Sequence, residues 1–171
     1  MAASHGLLTM YQQREDRDPE CLIRTEALMG RNGLGKEKEG DGKTPVGTYR
    51  FLFAFGTQPK PETAFPYIRI REDHYWIDDS DSIYYNRLVT SLEGKRDWCR
   101  GEHLIQHQPA YHYALALDYN HTGEKGRGSA VFLHCFPTEG AGCIAISEDA
   151  MIFILKRIKP GCKIAIGNEL Y

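Results

Sequence analysis

The chain lacks several features that would place it in a broad functional class. No apolar run approaches the roughly 20 residues that span a bilayer. The formal net charge is only −2 over 171 residues, which gives no electrostatic basis for binding nucleic acid or an anionic membrane surface. Met1–Gly6 lacks the basic and apolar stretches of a signal peptide. With no internal repeat and no linker-like segment, the length predicts a single domain.

Cysteine is sparse and follows no ligand pattern. The five cysteines, at positions 21, 99, 135, 143 and 162, match neither a zinc ribbon nor a redox C-x-x-C motif. Their odd number leaves at least one free thiol even if the others pair. At least one cysteine is therefore left for chemistry or for packing.

A nucleotide-binding loop is also missing. Gly42-Lys43-Thr44 is similar to the end of a phosphate-binding loop, but Glu37 stands where that motif needs a glycine. Pro45 disfavours a helix that would begin on Lys43 and Thr44. Residues 30–47 are therefore predicted to be a largely irregular loop with solvated charges, and no cofactor is predicted.

Short apolar runs predict a mainly β fold, a sandwich or a barrel. A helix is predicted over 97–107. A clearer one begins after the N-cap Ser147, with Glu148 and Asp149 in its first turn, and runs to about Ile158 before Pro160. Strands are predicted over 7–12, 21–29, 47–55, 67–70, 75–77, 113–119, 130–134 and 163–166.

The order of residues from His134 to Cys143 suits acyl transfer. An apolar run ends on His134, a glycine-bearing loop follows, and Gly142-Cys143 opens the next apolar segment. A thiol with an imidazole base is a standard nucleophile pair. Gly142 has no Cβ to block a substrate carbonyl, and N–H groups around Cys143 would hold an oxyanion. The competing interpretation is that Cys143 packs as a small hydrophobe.

Two rival sites are disfavoured. Cys135 follows His134 directly, and neighbours along a strand point to opposite faces, so Cys135 is predicted to lie in the core. His103 and His107 are four residues apart and would share a helix face able to bind zinc. Leu104 stands where the zinc-helix motif has glutamate, and no third ligand is evident, so no metal is predicted.

Two polar residues end the strand that precedes the histidine strand. Asp118 is a candidate to orient an imidazole, and Asn120 is a candidate to bind substrate amides. An equally good interpretation is that both are polar residues of a turn at a strand end.

Two loop segments and the histidine–cysteine pair carry a family resemblance. Residues 30–35 (GRNGLG) and 41–49 (DGKTPVGTY), taken with His134 and Gly142-Cys143, resemble the L,D-transpeptidase family with its YkuD-like catalytic domain. The resemblance spans roughly Leu22 to Ile166. It implies an N-terminal strand or extension over 1–21 and a catalytic region over 22–171. Segments 76–79, 84–86, 102–104, 118–120 and 128–134 are similar to one branch of the family.

The resemblance implies a fold and a reaction. The fold would be a curved mixed-sheet β domain with a helix after the cysteine. The Cys135 carbonyl would orient His134, Cys143 would form a thioester with peptidoglycan stem peptides without a metal or cofactor, and Glu102 and His103 would line the cleft. The expected location is the cell envelope. An L,D-carboxypeptidase that uses water as acceptor, or a non-catalytic wall-binding module, remains an alternative.

The chain departs from better-known members at the site. Only the eight residues 135–142 separate His134 from Cys143, and Ala141 takes the place of a second histidine beside the substrate. Ala145 stands where many members carry Arg or Asn. The thiol–imidazole pair is kept, but the substrate-carboxylate contacts of those members do not transfer.

Overall fold

The fold is mainly β, as the sequence predicts. The structure is a computed structural model and describes residues 5–91, 96–136 and 142–168. Its strands are β1 His5–Arg14, β2 Arg17–Leu28, β3 Gly47–Gly56, β4 Tyr67–Arg69, β5 His74–Trp76, β6 Leu88–Thr90, β7 Glu102–His103, β8 Ala114–Leu117, β9 Phe132–Cys135, β10 Ile144–Ile146 and β11 Lys163–Ile166. The α-helix of this described part, α1, spans Glu148–Leu155, and Leu104–Gln106 form a 3-10 helix.

Eight strands form one mixed sheet. Its order is β1-β2-β10-β9-β8-β3-β11, and β4 pairs with β3 beside this path. The pairs β9/β10 and β3/β4 are parallel, whereas the other pairs are antiparallel. The order runs from β1 to β11 without closing, so the sheet is an open sandwich layer and not a barrel. A second sheet, β6-β5-β7, has three strands.

Each face of the large sheet is covered by a different layer. Alternate residues point to opposite faces. Leu115 and Leu133 therefore join the core beneath α1, with Met151 and Leu155. The second core lies on the other face and contains Phe55, Tyr111, Ala114, Ala116, Phe132 and Cys143, together with Trp76 of the small sheet. Cys143 thus lies between the two sheets.

The N-terminal strands form one long hairpin. β1 and β2 pair from His5↔Leu28 to Arg14↔Arg17, with irregular register after Met10 and Gln12. β2 reaches the rest of the sheet through Leu28, which pairs with Ala145. The predicted boundary between residues 21 and 22 falls inside β2, and the division into an extension and a catalytic region stays a prediction.

The helix after the cysteine forms where it was predicted. The Ser147 hydroxyl accepts a hydrogen bond from the Ala150 N–H at 3.3 Å, which satisfies one of the free donors of the first turn. Glu148 and Asp149 lie at the positive end of the helix. The helix ends at Leu155, three residues before the predicted end. In the described part of the chain, no helix is long and apolar enough to cross a membrane.

The helix predicted over 97–107 is wrong. Glu102 and His103 form strand β7, paired with Trp76 and Tyr75, and only a 3-10 turn follows them. Backbone pairing with β5 outweighs the weak local preference for helix, as tertiary contacts commonly do. The remaining predicted strands all occur, with ends shifted by a few residues, and Lys163–Ile166 coincides with β11.

A truncation in α1 tests the core beneath the helix. Leu155 is fully buried, so Leu155→Ala is expected to lower the free energy of unfolding by about 2–5 kcal/mol through lost burial and a cavity. The neighbouring exposed Lys156, changed to alanine, should alter it by no more than about 0.5 kcal/mol. Denaturant unfolding followed by circular dichroism measures both. Equal losses in the two variants would contradict this packing.

Candidate active site

The parallel pair β9/β10 places the histidine and the cysteine on the same face of the sheet. Ala145 pairs with His134 on one side, and Ala114 pairs with it on the other. Both alanines are fully buried, and their small side chains leave the imidazole room on that face. Cys143 comes two residues before Ala145 along the strand direction, so it projects to the same face, where it packs in the core that contains Phe132.

The thiol of Cys143 is a neutral, buried group at rest. Its Sγ donates to the Ala130 carbonyl oxygen at 3.1 Å and accepts from the Phe132 N–H at 3.3 Å. Only 7% of the residue is exposed. Burial, followed by the negative charge of Glu102, raises the pKa of the thiol to about 12, against the opposing effects of the Phe132 N–H and Lys36. The hydrogen bond to Ala130 requires the protonated form.

The imidazole of His134 is set up as a base. Its Nδ1 lies 2.8 Å from the Cys135 carbonyl oxygen, the contact that the family resemblance implies. A carbonyl only accepts, so Nδ1 carries the proton and Nε2 keeps a free lone pair. Burial lowers the pKa of His134, with the Cys135 carbonyl opposing this effect. The ring is therefore neutral at neutral pH, as a base must be.

No hydrogen bond joins the sulfur to the imidazole among the residues that the structure describes. The thiol proton is instead directed at Ala130. Transfer to His134 therefore requires the thiol to turn away from Ala130. The tighter contact is expected when substrate is bound, because catalytic hydrogen bonds often lengthen in free enzymes.

Tyr111 and Glu102 form a hydrogen-bonded pair beside His134. The ring of Tyr111 meets that of His134 edge-on at 5.7 Å between centroids, and its hydroxyl donates to Glu102 Oε1 at 2.7 Å. His107 Nε2 lies 3.6 Å from the same carboxylate oxygen. Burial raises the pKa of Glu102, against the Tyr111 hydroxyl and His107. The contacts are consistent with the cleft role predicted for Glu102, which stays a prediction.

The threonine of the T-P segment ties the glycine-rich loop to the cysteine. Thr44 is fully buried. Its hydroxyl accepts from the Gly30 N–H at 2.7 Å and donates to the Cys143 carbonyl at 3.3 Å. A Cβ on Gly142 would lie only 2.8 Å from the Lys43 carbonyl oxygen, so this close approach of the loop requires glycine. The motif thus fixes the backbone on both sides of the nucleophile.

Asn86 is a supporting residue to which the sequence analysis gave no role, although it lies in the segment 84–86 that resembles one branch of the family. Its Oδ1 accepts from the indole of Trp76 and from the Ala130 N–H, each at 3.0 Å. Its Nδ2 donates to the carbonyls of Tyr119 and Asn120 at 3.0 and 2.8 Å. Ala130 has a φ of +52°, a left-handed conformation that is costly for alanine. The Asn86 amide holds it there, and so orients the carbonyl that accepts the hydrogen bond from the thiol.

Two of the predicted substrate-binding residues make internal bonds. Asn120 uses both amide hydrogens on the carbonyls of Glu124 and Gly128, and its Oδ1 accepts from the Glu124 N–H. Asp118 Oδ1 accepts from the Arg50 N–H, and the residue lines a surface pocket with Thr48, Arg50, His121 and Lys163. These contacts match the turn interpretation of the two residues, and their substrate roles stay predictions.

The remaining candidates are His103, Cys135 and Ala141. His103 stacks on Tyr75 with 4.4 Å between ring centroids, and its Nε2 lies 2.6 Å from the Glu72 carbonyl oxygen. Cys135 is buried in the core beneath α1, on the opposite face from Cys143. Ala141 lies outside the described residues. Within residues 5–91, 96–136 and 142–168, no group of three or more metal-ligating side chains converges.

The fold and the site define a β domain with a buried cysteine and a neutral histidine on one sheet face. Residues 4–166 match the sequence profile of the YkuD L,D-transpeptidase catalytic domain. This match covers nearly the whole chain, and the chain belongs to that family. Comparisons with curated proteins and with solved structures return no match.

The Asn86 amide provides a test of the support for the site. Asn86→Ala leaves the Trp76 indole and the Ala130 N–H without a partner, together with two carbonyls. The free energy of unfolding is expected to fall by about 2–4 kcal/mol. Asn168, which is exposed, supplies the matched control, and Asn168→Ala should change it by about 0.5 kcal/mol or less. Thermal and denaturant unfolding measure both, and an Asn86→Ala protein as stable as the control would refute the network.

Proposed function

We propose that this protein is an L,D-transpeptidase that crosslinks peptidoglycan stem peptides by acyl transfer through Cys143. The observation that supports this most directly is the neutral imidazole of His134, held by the Cys135 carbonyl on the strand paired with the one that Cys143 precedes. Membership of the family supplies the reaction class and the substrate class. That substrate would place the protein in the cell envelope.

The first half-reaction forms an acyl-enzyme. The thiol turns from Ala130, and His134 Nε2 takes its proton. The thiolate attacks the carbonyl carbon of the L-centred diamino acid residue, forming the C–S bond. N–H groups near Cys143 stabilise the oxyanion. The C–N bond to the terminal D-residue then breaks, and the imidazolium gives its proton to the leaving amine. A thioester remains on Cys143.

The second half-reaction transfers the acyl group. The amine of a neighbouring stem attacks the thioester carbonyl, and His134 accepts the proton that this amine loses. The C–S bond breaks, an amide forms between the stems, and the proton returns to the thiolate. Water in place of the amine would give an L,D-carboxypeptidase.

A β-lactam of the carbapenem class tests the nucleophile. Its ring carbonyl can acylate a reactive thiol, so intact mass is expected to increase by the mass of one carbapenem in the wild-type protein. Cys143→Ala should abolish the increase, whereas Cys162→Ala should leave it intact because Cys162 is half-buried against the core beneath α1, on the other face of the large sheet from Cys143. Absence of any adduct on the folded wild-type protein would count against a reactive Cys143.

Product analysis decides the acceptor. A tetrapeptide stem is incubated with and without a second stem that carries a free amine, and products are identified by mass spectrometry. We expect a crosslinked amide that grows with acceptor concentration and is lost in Cys143→Ala and in His134→Gln. Release of the D-residue with no amide at any acceptor concentration would identify a carboxypeptidase. Binding to peptidoglycan sacculi without turnover would identify a wall-binding module.

A further inference from the structure

A buried ion pair lies in the glycine-rich loop beside the cysteine. Lys36 Nζ lies 3.1 Å from Asp41 Oδ1, and only 2% of the lysine side chain and 8% of the aspartate side chain are exposed. Burial alone would raise the pKa of Asp41, but the N–H groups of Glu37, Lys38 and Lys43, with Lys36, lower it to about 2. Asp41 therefore stays charged and anchors the ammonium.

Two glycines give the lysine side chain its path toward the site. A Cβ on Gly128 would collide with Cε of Lys36, and a Cβ on Gly142 would lie 3.3 Å from Nζ. The ammonium therefore lies against the residue that immediately precedes Cys143. Asp41 already holds the loop through three backbone N–H groups. Stabilising the loop therefore does not require the lysine to lie this close to the nucleophile.

The Lys36 ammonium has more N–H donors than its hydrogen bond to Asp41 uses. It carries three N–H donors, and among the described residues its hydrogen bond goes to Asp41 alone. A buried ion pair contributes little net stability, because desolvation of both charges offsets their attraction. Stability therefore gives a weak reason for placing a lysine here, whereas a need for positive charge beside Cys143 gives a direct one.

The charges around the sulfur have opposite effects. Glu102 raises the pKa of the Cys143 thiol, and Lys36 lowers it. Tyr111, whose own pKa burial raises well above the usual value, and the neutral His134 contribute no full charge at neutral pH. Asp41 faces Lys36 and is partly neutralised by its four donors. Lys36 is therefore the full positive charge that acts on Cys143 in the described part of the chain.

We propose that Lys36 is a positioning residue for the nucleophile: its ammonium, which lies against Gly142, stabilises the thiolate of Cys143 electrostatically. This inference rests on the proposed function of the same site. Ala145, which pairs with His134, is fully buried and brings no charge to the site. The cation that acts on the cysteine comes from the loop of residues 30–47.

The test measures the ionisation of Cys143 without any substrate. Iodoacetamide, a small neutral probe, alkylates each variant over a range of pH, and peptide mass spectrometry resolves the rate at Cys143 from the rates at the other cysteines. Lys36→Gln keeps a donor for Asp41 but removes the charge. We expect its pH profile to shift upward and its rate at neutral pH to fall about tenfold, the effect of one pKa unit.

Two variants serve as controls. Lys38→Gln makes the same change of net charge at an exposed position of the same loop, and its profile should match that of the wild type. Lys36→Arg keeps the positive charge and should restore most of the rate. An unshifted profile in Lys36→Gln, or equal shifts in Lys36→Gln and Lys38→Gln, would overturn the proposal.

A measurement on the wild-type protein covers the case in which Lys36→Gln does not fold. With lysine labelled by ¹³C at Cε, the chemical shift of Lys36 should change over the pH range in which alkylation of Cys143 accelerates. This change should be missing in Cys143→Ala. The same pH dependence of the chemical shift in both proteins would show that the two groups are not coupled.

The outcome separates this inference from the proposed function. Alkylation and the lysine resonance require no peptidoglycan, so they report on Lys36 even if the protein makes no crosslink. A shifted profile with no turnover on any stem peptide would retain the role of Lys36 and reject the transpeptidase. Normal crosslinking with an unshifted profile would support the transpeptidase and reject the role of Lys36.

Discussion

The site depends on the parallel pairing of β9 and β10. Parallel neighbours usually need a crossover of a dozen or more residues, yet here residues 136–143 connect them. Both strands are short, so the connection must return only about 13 Å, the length of four residues. Eight residues can reach about 26 Å. The short spacing between His134 and Cys143 is therefore compatible with parallel pairing, which places both side chains on the same face of the sheet. Ala145 and Ala114 pair with His134 on its two sides.

The resting site avoids charge. Both reactive groups are buried, and burial shifts their pKa values in the directions that favour a neutral thiol and a neutral imidazole. An unpaired thiolate would be costly in this environment. Charge separation therefore belongs to the reaction and not to the free protein. The Ala130 carbonyl accepts a hydrogen bond from the thiol at rest, and this bond orders the sulfur without ionising it.

Support for the nucleophile comes mostly from backbone groups held by distant side chains. Thr44 reaches the Cys143 carbonyl from a loop almost one hundred residues away in sequence, and Asn86 fixes the strained Ala130. Strain of this kind persists only where surrounding contacts over-determine it. The three non-glycine residues with positive φ, Asn86, Asn120 and Ala130, belong to one connected hydrogen-bond network in the described part of the chain.

The sequence by itself determined the features that depend on local patterns. Alternating and apolar runs predicted the strands, the N-cap Ser147 predicted the start of α1, and period-two alternation correctly separated Cys135 from the face of Cys143. Tertiary structure decided what depends on partners far along the chain. Pairing with β5 made residues 102–103 a strand, and the Asn86 amide found its partners on Tyr119, Asn120 and Ala130, far along the chain. The burial of Lys36 beside Gly142 arises only when two glycine-bearing segments meet, because a local pattern carries no information about which segments pack together.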